Sequence, residues 1–117
     1  MKKGTYMIKV YQIQLSDYEI NLVNNSGEMP ENDRIKAYFN RSFEKTFKAE
    51  TFKHYDHVAN VDADNLEEAF SLMNLWNDES KIERLKRCSS MSVGDIVEHD
   101  GQLYRCASFG FNPLEQY

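Results

Sequence analysis

Cysteine and proline occur twice each in 117 residues, tryptophan once, and the five glycines stand apart from one another. Each scarcity removes a class of protein. Cys88 and Cys106 form no Cys-x-x-Cys pair, and two such thiols in an intracellular chain are expected to be reduced. Isolated glycines cannot build the Gly-rich loop that cradles a phosphate. No apolar run approaches the roughly 18 residues that a membrane-spanning helix needs. The start is basic, but residues 5–15 carry Tyr, Lys and Gln where a signal peptide would be continuously apolar. Positive charge is also short: 14 Lys and Arg face 19 Asp and Glu, a net of −5. That balance disfavours electrostatic binding to nucleic acid, which needs a basic face. What remains is a cytoplasmic domain, and 41% hydrophobic with 13% aromatic residues is enough for one modest core.

Periodicity supplies the elements. Residues 5–15 alternate Tyr6, Ile8 and Val10 against Met7, Lys9 and Tyr11, followed by Ile13 and Leu15, which predicts a strand. Ser16-Asp17-Tyr18-Glu19 is a capping box opening a short helix to about Asn24, and Pro30 lies in the loop beyond it. In residues 33–48, Ile35, Tyr38, Phe39, Phe43 and Phe47 make one helical stripe. Arg34, Lys36, Arg41, Lys45 and Lys48 interleave with acids and read as a solvated face. Residues 52–61 read as a second strand. A third helix follows, with Asp64 as its cap, Glu67 three residues on, and Leu66, Ala69, Phe70, Met73 and Trp76 at helical spacing. Residues 81–87 are a charged connection.

The last quarter is the most legible part. Residues 93–98 and 103–107 flank Asp100-Gly101, and Asp-Gly favours a type I′ turn, so a C-terminal β-hairpin is expected. The Gly94-Asp95 pair reads as the bend that launches it. The order β-α-α-β-α-β-β predicts a single α+β domain over residues 1–117, with a sheet of about four strands and about three helices layered on one face.

The segment Met91-Ser92-Val93-Gly94-Asp95-Ile96-Val97, then Tyr104-Arg105-Cys106 and the ending Ser108-Phe109-Gly110-Phe111, resembles the YodL-like small proteins of phages and other mobile elements. A looser match runs through Tyr55-Asp56-His57-Val58-Ala59, Asn65 to Phe70, and Met73-Asn74. The resemblance covers roughly the second half of the chain. It implies a small intracellular accessory protein, often phage-encoded, and carries no reaction with it.

Catalytic sets are correspondingly poor. His54 and His57 fall on opposite faces of a strand, and His99 lies far away beside the hairpin turn. Ser89, Ser90 and Ser92 precede a strand rather than occupying a sharp strand–helix turn with a base beside it. Asp62 and Asp64 offer a weak cation pair, but Asp at a strand-to-helix turn is ordinary capping chemistry. No catalytic residue, metal or cofactor is therefore expected.

Charge is segregated, however. Seven acids (Asp56, Asp62, Asp64, Glu67, Glu68, Asp78 and Glu79) occur with no Lys or Arg among them, directly before Lys81, Arg84, Lys86 and Arg87. This run reads either as helix punctuation or as a face that steers a basic partner. The expected function is a non-enzymatic interaction module binding and modulating a protein of the host. Its candidate contacts are Asp62, Asp64, Glu67, Glu68, Trp76, Phe109 and Phe111, although the place of Trp76 on the Leu66–Phe70–Met73 stripe favours the core for that residue. Two alternatives come from other classes. One is a nucleic-acid-associated regulator using residues 81–87, Tyr104 and Phe111. The other is an enzyme with a site around His54, His57 and Asp62.

Overall fold

The computed structural model describes residues 7–27, 30–41, 49–75, 78–108 and 110–114. Residues 42–48 of the helix expected over 33–48, and the candidate contacts Trp76 and Phe109, lie outside the described residues. Strand β1 (Met7–Gln12) leads through α1 (Asp17–Asn25), α2 (Asp33–Asn40) and a single turn, α3 (Ala49–Phe52), to β2 (Asp56–Asp62). Helix α4 (Leu66–Leu75) and a 3-10 turn at Glu79–Lys81 precede β3 (Ile82–Arg84), β4 (Ile96–His99), β5 (Gln102–Cys106) and β6 (Phe111–Pro113). The six strands form one sheet in the order β3-β2-β1-β4-β5-β6, with every pair antiparallel. No helix among the described residues is long and apolar enough to cross a membrane.

The α+β class and the hairpin are as expected; the strand count is not. Among the described residues the sheet has six strands rather than about four, because both its edges there are three-residue strands, β3 and β6. Three residues give too short an alternation to be read. The second strand starts at Asp56, since Phe52 belongs to α3. A bulge displaces its pairing with β1: Val10 faces Ala59, but Tyr11 faces His57. The extra residue turns Val58 and Ala59 both inward, and both are fully buried.

Each face of the sheet has its own packing. Ile8, Val10, Val61, Val97 and Cys106 join Ala69, Leu72 and Met73 of α4 in the main core. Tyr11 points to the opposite face, where its ring lies 5.2 Å from Phe52 of α3 and 5.1 Å from His57. The helices therefore do not all share one side, contrary to the two-layer expectation. The physical reason is the length of the β1-to-β2 connection, which returns over the face that α4 leaves open.

Local chemistry fixes the ends of the elements. The Ser16 capping box is present in both directions: Glu19 N–H donates to Ser16 Oγ at 3.1 Å and Ser16 N–H to Glu19 Oε1 at 2.8 Å. Helix α4 is capped by Asn65 instead of Asp64, with Glu68 N–H donating to Asn65 Oδ1 at 2.8 Å. The Glu68 carboxylate returns to Asp64 N–H at 2.9 Å. Arg34 of α2 is the clamp on the opposite face. It donates to the carbonyls of Gln14 and His54 and to Asp56 Oδ2 at 2.9 Å, with Glu19 3.6 Å away.

Candidate partner-binding groove

Residues 89–95, which include the start of the YodL-like Met91–Val97 signature segment, form no helix or strand; buried polar groups hold them. Gln12 sits at an inward position of β1, in line with Ile8 and Val10, and is 2% exposed. Its amide donates to Ser89 O and to Asp95 Oδ2, each at 3.1 Å, and its Oε1 accepts from Ser89 N–H at 3.1 Å. Asp95 also accepts from Ser92 N–H at 2.9 Å and lies 3.7 Å from Arg41. Burial pushes the Asp95 carboxyl up to about 6, opposed by the Ser92 N–H, the Arg41 charge and the Gln12 amide. Asn74 of α4 accepts from Met91 N–H at 2.7 Å. Tyr55 donates to Gly94 O at 2.6 Å, and Arg105 to Arg41 O at 2.7 Å. The signature thus joins both faces of the sheet, and its serines serve backbone geometry. A polar residue at an inward strand position was the one sequence signal that could have revealed Gln12.

Fixing that segment fixes β4 and the strands beyond it. Asp100 at φ 54° and Gly101 at φ 80° make the expected type I′ turn, which sets β5 antiparallel to β4. A second turn, closed by Ala107 N–H donating to Gly110 O at 2.9 Å, brings β6 alongside β5. This returns Phe111 to the face covered by α4, where it meets Phe70 edge-on with ring centroids 6.4 Å apart.

Between α4 and the 106–111 turn lies a groove of about 270 Å³. Phe70, Phe111, Cys106 and Ala107 supply its apolar lining, while Glu67 and Ser71 come from the helix and Ser108 from the turn. Phe70 remains 37% exposed, an aromatic ring on the surface of a helix. The Cys106 thiol is pushed up to about 11, mainly by burial and then by the Asp95 charge, with Arg105 opposing. It is therefore protonated at neutral pH and acts as packing.

The candidate contacts separate by position. Glu67 and Phe111, far apart in sequence, line the same groove. Asp64 and Glu67 are exposed, whereas Glu68 is half-buried and occupied in capping. Asp62 ends β2 opposite Met7, and the buried Ala63 separates it from Asp64. Because β2 ends at Asp62, Asp64 lies beyond the strand, and the two carboxylates do not line one strand face.

The sites of the two alternatives are also placed. His57 Nε2 donates to Asn60 Oδ1 at 2.8 Å, and Asn60 donates to Glu83 at 3.0 Å. His57 pairs with Tyr11 near the start of β2, whereas Asp62 pairs with Met7 at its end. At about 3.3 Å per residue, that separation keeps them from sharing a small reacting centre. No cluster of three or more His, Cys, Asp or Glu suited to a metal occurs among the described residues. In the basic stretch, Arg84 binds Glu79 through both carboxylate oxygens at 2.9–3.0 Å, and Lys86 lies 3.6 Å from Asp56. Tyr104 is packed against the core. Compared with protein-family models, curated proteins and solved structures, the chain matches none.

Proposed function

We propose that this protein is a non-enzymatic interaction module that binds a protein partner in the groove between α4 and the 106–111 turn. The observation carrying the proposal is convergence: Glu67 and Phe111, singled out for charge and for aromaticity, line one apolar concavity beside the exposed ring of Phe70. A pocket lined by aromatics with a charged group beside it is the usual form of a binding hot spot. Within the acidic run, the exposed Asp64 and Glu67 favour approach by a basic surface and disfavour phosphate backbones. The YodL-like resemblance of the 91–111 segments supports reading the module as a phage or mobile-element accessory protein that modulates a host protein in the cytoplasm.

Photo-crosslinking in living cells tests this directly. A benzophenone side chain at Ser71 should crosslink one protein species, with little product when placed at Lys9, on the opposite face of the sheet. Phe70→Ala should reduce the Ser71 product while leaving the denaturation midpoint near that of the unmodified chain. Equal products at both positions, or crosslinks to nucleic acid alone, would refute the groove.

A further inference from the structure

We propose that the groove is occupied by an extended basic segment of the partner, added as a seventh strand along the outer edge of β6. This rests on the reading of the groove as a protein-binding site and specifies how it binds. Strand β6 is the last strand at its end of the sheet among the described residues. Its hydrogen-bond phase follows from two bonds: Ala107 N–H donates to Gly110 O, and Leu114 N–H donates to Leu103 O, both at 2.9 Å. Hydrogen-bonded and non-hydrogen-bonded pairs alternate along an antiparallel ladder. Phe111, opposite Cys106, and Pro113, opposite Tyr104, therefore occupy non-hydrogen-bonded pairs. The N–H and C=O of Phe111 point away from β5, to where a further strand would lie.

Proline removes the next outward donor, because Pro113 has no N–H. For a segment running antiparallel to β6, as every strand pair of this sheet does, one register is left: a partner residue exchanging both main-chain bonds with Phe111. In an antiparallel pair, directly opposed residues share a face, so that residue's side chain lies beside the Phe111 ring, on the side of Phe70 and the groove. Main-chain bonds at β6 would supply affinity, and the groove would select the side chain.

Charge selects the rest. Glu67 is exposed at the groove wall, so a cation is favoured on that same face. Period-two geometry puts it two residues from the apolar anchor, about 7 Å away. The same charge disfavours a second copy of this chain, which would bring its own Glu67 to the same edge.

The test uses the full chain and a blocked heptapeptide with leucine at its centre, lysine two residues to either side, and threonine between. Amide NMR shifts should move at Gly110, Phe111 and Phe70. N-methylation of the central leucine nitrogen should weaken binding at least about tenfold by removing one bond and blocking the edge. N-methylation of the next residue, whose N–H faces away from β6, should have little effect. Glu67→Lys should weaken the lysine peptide about threefold and strengthen its glutamate counterpart. If both N-methylated peptides bind in the groove as tightly as the parent, strand addition is overturned while the groove survives. If no peptide moves the groove amides, both fall. A concentration-dependent dimer that protects the same amides would make a second copy the occupant and overturn the proposal.

Discussion

Replacing Gly94 with alanine tests the packing of the signature segment most severely. Gly94 has φ +96°, and a Cβ built there would lie 2.6 Å from Arg41 O and 2.7 Å from Arg41 C. Two costs add. An L-residue at positive φ costs about 1–2 kcal/mol, and forcing an atom into a packed contact costs about 1–3 kcal/mol. A rotamer change could move the third obstructing atom, Arg41 Cγ at 2.7 Å, but not the two backbone atoms, and Arg41 O is itself held by Arg105. The expected loss is about 2–5 kcal/mol, lowering a urea midpoint by about 1–2 M. Two other glycines divide the effect. Gly101 has φ +80° with nothing within 4 Å of its Cβ position, so Gly101→Ala should show only the conformational part, about 1 kcal/mol. Gly27 has open space and no positive φ, so Gly27→Ala should stay within about 0.5 kcal/mol of the unmodified chain. Equal losses at Gly94 and Gly101 would refute the steric argument, and no loss at Gly94 would refute the placement of Arg41 against it.

Asp95 is raised to about 6 in the fold from an ordinary 3.8, so the folded state holds more protons between those values and stability from this group falls as pH rises. Relative to Asp95→Asn, the unmodified chain should lose about 2 kcal/mol between pH 4 and pH 6.5; a flat difference across that window contradicts a buried carboxylate. Arg34→Met should cost about 3 kcal/mol by removing the shared donor of Gln14, His54 and Asp56. Arg34→Lys should recover little of that loss, because one ammonium cannot reproduce the planar fork. Asn65→Ala should cost about 1 kcal/mol in thermal or chemical melts, and an equal or larger loss from Asp64→Ala would move the cap back by one residue.

Wherever a local rule decides the outcome, the sequence was sufficient. The Ser16–Glu19 box starts α1, Asp100-Gly101 turns the hairpin, and the stripe containing Ala69 and Met73 faces the core. These depend on bonds and contacts within a few residues, so neighbouring side chains specify them. The Asn65 cap shows how narrow that margin is: Asp64 and Asn65 both have capping chemistry, and where the backbone leaves β2 decides between them. Strands β3 and β6 were illegible because three residues acquire strand geometry from a neighbouring strand rather than from their own pattern. The bulge at Val58 was hidden for a related reason, since register belongs to a pair of strands. The same holds for the groove. Glu67 and Phe111 each carried a reason for notice, but only the two turns that return β6 to the α4 face put them on one wall. Tertiary structure decided that placement, because the contacts that make the groove cross the sheet, and no single stretch of the chain contains them.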